Sequence, residues 1–354
     1  MSSIRIGIIG YGLRSSVLVG ACRALGRFEI TAVADTQEAA REKAARDIQG
    51  IRVFDGPDGL LKSGPVDAVL IETPPDTHAR LSQEALARGI HVLCDVPAIH
   101  EVSEAEALWK AAAQSRSVYA FGATTNFWAF VETCADLIKQ GSIGRPYYCE
   151  ADYVADLGDL PAATPWRKHF PPIRYCTHSL GPVLRWIPED LREVACFSTG
   201  GQRHPDSGDD DAMAALFRTR GGALVKLLIS FINSHPAPFH RYACYGTAGY
   251  FEKTQPLAGG ESQILFSTRK TYGLHGLTKL PVAETRPELQ GGPGVGEHGG
   301  ADLVMLENFA DAIEGKAEPS VDLRQALRMT LPGLYALESA RNGGRLVEIR
   351  YPWD

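Results

Sequence analysis

A chain of 354 residues with 44% hydrophobic and 22% charged residues can bury two substantial cores, so two domains are expected. Its net charge of −6 gives no electrostatic case for nucleic acid or an anionic membrane surface as partner. No apolar run approaches the ~20 residues that span a bilayer. With a first strand starting at Ile4, no signal peptide is expected. Seven cysteines, an odd number with no C-x-x-C pair, argue against a disulfide framework or zinc knuckle. The expected setting is reducing and cytoplasmic, with most thiols acting as small buried hydrophobes.

Ile4–Ile9 reads as a buried strand, and Gly10-Tyr11-Gly12-Leu13-Arg14-Ser15 as the turn into a helix whose apolar positions include Leu18, Ala21 and Leu25. Glu29–Asp35 is a second strand, followed by a helix from Gln37 to about Asp47. Short strands follow at 51–54, 67–71, 90–94 and 118–121. Helices at about 77–88 and 103–115 lie between the later ones. Strands alternating with helices through short turns predict a parallel sheet covered on both faces, here assigned to residues 1–122. The character changes after that. A helix at about 126–140 precedes alternating runs at 147–155, 194–199, 212–219, 223–231, 240–245 and 263–267. A glycine- and proline-rich loop spans about 268–300. Helices near 301–314 and 322–342 and a strand at 346–349 close the chain. Residues 123–354 are therefore expected to form an α+β domain with a large, mostly antiparallel open sheet, which makes a homo-oligomer, dimer or tetramer, the expected state.

Strand, glycine turn and helix together give the G-x-G-x-x-G-like string its meaning. Gly10 permits the tight turn. Gly12 lets the backbone approach a pyrophosphate, at a helix N-terminus that offers free N–H donors. Ser15 stands where a third small residue is wanted. Asp35 ends the second strand, where a carboxylate accepts hydrogen bonds from an adenosine ribose. Thr36, Gln37 and Glu38 supply no arginine for a 2′-phosphate, so NAD is expected over NADP. The other strand ends, Thr73-Pro74 and Asp95-Val96-Pro97, are expected to line the same crevice.

The run Thr73-Pro-Pro-x-x-His78, followed by Ala85-Leu-Ala-Arg-Gly-Ile-His-Val-Leu-Cys-Asp95-Val96-Pro97, resembles the Gfo/Idh/MocA oxidoreductases. That resemblance implies a Rossmann domain followed by an open-sheet domain. The family's usual triplet here is Glu-Lys-Pro, with a lysine that assists proton movement. Val96 replaces it, so an ordinary sugar dehydrogenase fits less well. A narrower resemblance, to glycoside hydrolase family 109 and its neighbours, is carried by several runs in the same order. They are Gln140-Gly-Ser-Ile-Gly144, Glu150–Asp156, Trp166-Arg167, Tyr175-Cys-Thr-His178-Ser-Leu-Gly181-Pro182, Ser234–Phe239, Tyr245–Gly249 and His298-Gly-Gly-Ala-Asp302. Members of that branch hydrolyse glycosides with a retained NAD. Oxidation of a sugar carbon, C3, acidifies the C2 proton, the C1 substituent leaves, water adds, and the hydride returns.

His178 is the first catalytic candidate. It stands at the start of an apolar helix, where the dipole favours a neutral imidazole able to accept a proton. Tyr153, at the end of an alternating strand, is the second, as base or acid at C2. Tyr175, a turn before His178, would orient it. Cofactor contacts are expected from Gly10, Gly12, Leu13, Arg14, Asp35, Thr73, Pro74, His78, Asp95, Val96, Pro97 and Asn126. Trp166 offers an apolar face for a sugar ring, with Arg167 beside it, and His298 a hydroxyl contact. Asp209-Asp210-Asp211 and the pair His235 and His240 do not call for a metal. The leading expectation is an NAD-dependent glycoside hydrolase acting on a small-molecule carbohydrate. The alternatives are a net sugar, cyclitol or glycoside dehydrogenase or ketoreductase, and a non-catalytic NAD-binding sensor.

Overall fold

The computed structural model describes residues 3–158, 164–203, 208–235, 238–256, 262–270, 276–282 and 298–354. Its contacts divide them into two units, each with its own sheet.

The first unit carries a six-stranded parallel sheet in the order β3-β2-β1-β4-β5-β6. The strands are β1 (Ile4–Ile9), β2 (Phe28–Ala34), β3 (Arg52–Phe54), β4 (Ala68–Ile71), β5 (His91–Cys94) and β6 (Tyr119–Phe121). Every residue of β4 is buried, as both covered faces of a parallel sheet require. The crossover helices are α1 (Leu13–Leu25), α2 (Glu38–Asp47), α4 (His78–Leu86) and α5 (Glu104–Gln114). A further helix α3 (Pro57–Ser63) lies between β3 and β4. Seven residues opened by proline and holding a glycine are too short for helical periodicity to show in sequence. The expected helix at about 126–140 is instead a 3₁₀ turn, Thr124–Phe127, followed by α6 (Ala129–Lys139) in the second unit. The described residues 298–327 return to the first unit, where the helix α8 (Ala301–Ile313) packs on α1.

The second unit carries nine strands in the order β14-β13-β12-β11-β7-β10-β9-β8-β15. They are β7 (Pro146–Val154), β8 (Leu191–Ser198), β9 (Ala212–Thr219), β10 (Leu224–Ser230), β11 (Phe239–Gly246), β12 (Gly249–Lys253), β13 (Ile264–Thr268), β14 (Thr278–Leu280) and β15 (Val347–Glu348). All pairings are antiparallel except β7 with β10. Strands β12 and β14 went unread in the sequence, β14 because it sits inside the glycine-rich stretch. Strand β9 alternates strictly, with Met213, Ala215 and Phe217 buried and Ala214, Leu216 and Arg218 exposed. One face therefore builds the core, together with α7 (Thr177–Trp186) and the 328–341 part of α9 (Leu323–Arg341). The other face holds Arg241 against Glu150 and Asp152, and exposed Leu216 and Phe197. All seven cysteines are buried and unbridged. No described helix is long and apolar enough to cross a membrane.

Candidate active site

In the first unit the glycine turn is shaped by its neighbours. Gly10 has φ +91°, and a Cβ there would stand 2.6 Å from the carbonyl oxygen of Glu72. Only glycine meets both conditions. Gly10→Ala is expected to cost on the order of 2 kcal/mol and to abolish NAD binding, checked by thermal melts and calorimetric titration. Around Gly12, in contrast, a Cβ would meet nothing within 4 Å. That open space lies at the N-terminus of α1, which has no side-chain cap, so its first N–H groups are available to a phosphate. Ser15 is fully buried, and its hydroxyl donates to the Gly12 carbonyl at 3.2 Å.

Asp35 is held by two backbone donors. Its Oδ2 accepts from the Tyr11 N–H and its Oδ1 from the Gln37 N–H, both at 2.8 Å, which leaves lone pairs on each oxygen. Beyond Thr36, Gln37 and Glu38, Arg41 reaches this corner too. Its Nη1 is committed to the carbonyls of Asp35 and Thr36, at 3.0 and 2.9 Å.

The ends of β4 and β5 bring two carboxyl groups, Glu72 and Asp95, toward Arg14. Burial first, and Asp95 second, raise the Glu72 pKa well above the carboxylate range, against the pull of Arg14 and His78. The Glu72 Oε2 is closed off from solvent without a hydrogen-bond partner among the described residues. An unsatisfied buried polar atom beside an open, donor-rich turn fits a bound dinucleotide. No role was assigned to Glu72 from sequence, because a lone acid after a strand has no periodicity to mark it.

Several expected cofactor contacts turn out to hold the cradle instead. Both ring nitrogens of His78 are spent on carbonyls, Nδ1 on Pro97 and Nε2 on Thr73, each at 2.7 Å. Two acceptors require two N–H groups, hence an imidazolium. Burial opposes that charge, but Cys94, the Pro97 carbonyl and Asp95 outweigh it and raise the pKa to about 10. His78 therefore ties the Thr73 and Pro97 loops together and has no nitrogen left for a ligand, which corrects its assignment as a cofactor contact. Asn126 is buried inside its own turn, its Nδ2 donating to the Ala123 carbonyl at 3.1 Å.

Arg14 pairs with Asp302 at 2.5 Å and lies 3.2 Å from Nδ1 of His298. His298 itself pairs with Asp302 at 3.0 Å, one helical turn apart. Asp302 is fully buried. Burial alone would raise its pKa, but His298 and Arg14 hold it at about 2. This ion network anchors the helix Ala301–Ile313 to the glycine turn.

In the second unit, strand alternation and register build a cluster of rings. Tyr153 on β7 shares a face with Cys149 and Ala151. Its register partner on β11 is His240, which shares that face with Tyr242 and Cys244. The first turn of α7 packs against them and brings His178. Ring centroids lie 4.4 Å apart for Tyr175 and His178, 5.2 Å for Tyr153 and Tyr175, and 6.1 Å for Tyr153 and His178. The structure thus brings together all three residues singled out in the sequence. His240 is an addition, 4.7 Å from Tyr153 and edge-on. The Tyr242 hydroxyl is 2.8 Å from the His178 carbonyl, to which it donates, and 3.3 Å from Nδ1 of His240. An inward position next to Tyr242 and Cys244 marked His240, but its partner strand lay more than eighty residues away in sequence.

Burial first, then Tyr175, raise the Tyr153 pKa, and Arg167 only partly offsets them. Tyr153 is therefore a firmly protonated phenol, suited to donate rather than to act as a resting base. The Arg167 guanidinium lies 4.1 Å from the centroid of the Trp166 ring, and Phe170 is T-shaped to that ring. Among the described residues no group of three or more His, Cys, Asp or Glu side chains is placed to hold a metal ion.

Two family descriptions match this chain: an oxidoreductase family NAD-binding Rossmann fold over residues 4–123, and the C-terminal alpha/beta domain of the same family over residues 135–349. A glycosyl hydrolase family 109 protein of Solibacter usitatus is 27% identical across 96% of this chain and 86% of its own length. Among solved structures, an oxidoreductase from Agrobacterium radiobacter in complex with NAD+, L-tartaric acid and magnesium is similar with a TM-score of 0.81 at 18% identity, covering 98% of both chains. Levoglucosan dehydrogenase in complex with NADH gives a TM-score of 0.80 at 17% identity, over 99% of this chain and 100% of that one. At such identities the likeness to solved structures is one of fold. With both domains matched, the chain belongs to the NAD-binding Gfo/Idh/MocA oxidoreductase family.

Proposed function

We propose that this protein is an NAD-dependent glycoside hydrolase that works by transient oxidation of its sugar. The observation that carries the reading is the convergence of Tyr153, Tyr175 and His178 within 4.4 to 6.1 Å, in a chain whose β5 ends in Asp95-Val96-Pro97. A valine carries no proton, so the proton work falls to the second unit's rings. NAD, when bound, supplies the acceptor and later the donor of a hydride at a sugar carbon. His178 takes up a proton from the sugar, and the hydroxyl of Tyr242 on its backbone carbonyl fixes the turn that presents it. Tyr153, kept protonated by burial, delivers a proton to the departing C1 oxygen. Tyr175 fills the space between them and holds the imidazole's orientation. Asp35, the Gly10–Ser15 turn and the Glu72–Asp95 pair bind the dinucleotide.

The test is a panel of p-nitrophenyl glycosides of both anomers, with NAD⁺ at sub-stoichiometric and saturating levels, read for nitrophenol and for NADH absorbance together. Many nitrophenol turnovers per NAD⁺ with no lasting NADH are expected. NADH accumulating one for one with product would instead establish a net dehydrogenase. Silence in both channels across the panel would favour an NAD-binding sensor.

A further inference from the structure

Beside the ring cluster the second unit holds a cleft of about 560 Å³, in the size range of small-ligand sites. Phe231 joins the two, lining the cleft and meeting Tyr175 edge-on at 5.8 Å. The cleft walls are densely charged, and their acids are already committed. Asp156 pairs with Arg203 at 2.7 Å. His169 sits 2.7 Å from Asp209. Asp210 accepts from the Ser198 hydroxyl, and Asp211 from the backbone N–H groups of Gln202 and Arg203.

Arg167, Lys168 and Arg341 line the cleft and have no carboxylate partner among the described residues. The Arg167 guanidinium carbon lies 4.1 Å from the Trp166 ring centroid, a cation–π contact that restrains the side chain. A planar guanidinium so restrained, flanked by two further positive charges, matches a carboxylate or phosphate better than a hydroxyl. Because Arg167 also acts electrostatically on Tyr153, an anion bound there would lie next to the ring cluster.

We infer that this cleft is an anion-recognising subsite and that the substrate is a sugar bearing a carboxylate or phosphate group. The inference deepens the carbohydrate reading above and rests on it for the sugar. Arg167 forms the fork, and Lys168 and Arg341 add charge at the rim.

The experiment is calorimetric titration of the full-length, NAD-loaded protein at low salt with D-glucuronate, D-galacturonate, glucose 6-phosphate, D-glucose and D-galactose. At least one acidic sugar is expected to bind about tenfold or more tightly than its neutral counterpart. The advantage should shrink to about twofold in a Lys168→Ala/Arg341→Ala variant and in 0.5 M salt. Both residues are exposed, so the variant retains the fold, and circular dichroism confirms it. The uronate and phosphate arms separate the two anion classes. Equal binding of acidic and neutral sugars, no measurable binding of any acid, or an advantage untouched by the double variant would overturn the inference. Binding is read here without turnover. A lost preference thus leaves the hydrolase reading standing, and a silent nitrophenol assay leaves this one standing.

Discussion

His178→Ala is expected to lower turnover by about 10²- to 10⁴-fold while NAD affinity stays within about twofold of the original. The two readouts separate because His178 belongs to the second unit and the nucleotide cradle to the first. The ring stands 4.4 Å from Tyr175 and 6.1 Å from Tyr153, neither of which carries an imidazole. His240, 6.5 Å away, is the residue that would take over part of the work, and a His178→Ala/His240→Ala variant measures that share. Tyr153→Phe provides the complementary check. The phenol's raised pKa places any alkaline limb due to Tyr153 above the ordinary tyrosine value of about 10. The original enzyme should show no loss attributable to this group below that pH. Full activity in His178→Ala would remove the proposed role of the ring cluster. A large loss of NAD binding would relocate the effect to the cofactor side.

Asp302→Asn carries the largest expected effect on stability, a loss of about 3 kcal/mol. The carboxylate is fully buried and holds both Arg14 and His298. Asparagine keeps the volume but takes the one ion-paired carboxylate from a guanidinium that is only about one-fifth exposed, leaving it the longer-range pull of Asp95. The pH dependence has a definite sign. The folded-state pKa, about 2, lies below the usual aspartate value of about 3.9. The stabilisation is therefore complete above about pH 4 and is lost as pH falls through 2. A shift of that size corresponds to roughly 2 to 3 kcal/mol. Urea unfolding of both proteins from pH 7 down to pH 2 should show the gap between them narrowing. A constant gap would mean that Asp302 acts by shape and not by charge. NAD affinity should weaken in the same variant, because Arg14 sits in the glycine turn.

Where a function depends on contiguous residues, the sequence was readable. The strand, the Gly10-x-Gly12 turn, the open helix N-terminus and Asp35 lie within one βαβ segment, and local chemistry alone specifies them. The alternation of strand residues likewise announced an open antiparallel sheet, because a half-covered sheet must alternate. The strand number was less visible. Strands β12 and β14, five and three residues long, are too short for a period of two to stand out, and their pairing partners fix them. His78 looked like a ligand contact because it follows a loop at a strand end. Only the fold shows that Thr73 and Pro97 consume both of its nitrogens.

What sequence by itself determined is the Rossmann unit and its NAD binding, and it singled out Tyr153, Tyr175 and His178, whose rings cluster. Tertiary structure alone decided the rest. His240 joins that site through the register of β11 on β7. The pKa of Glu72 is pushed up by burial and by Asp95. Arg14, His298 and Asp302 become one ion network because the chain returns to its first unit after more than 150 residues in the second. Each of these depends on residues far apart in the chain. Pairing and desolvation act on neighbours in space, and a linear order does not carry them.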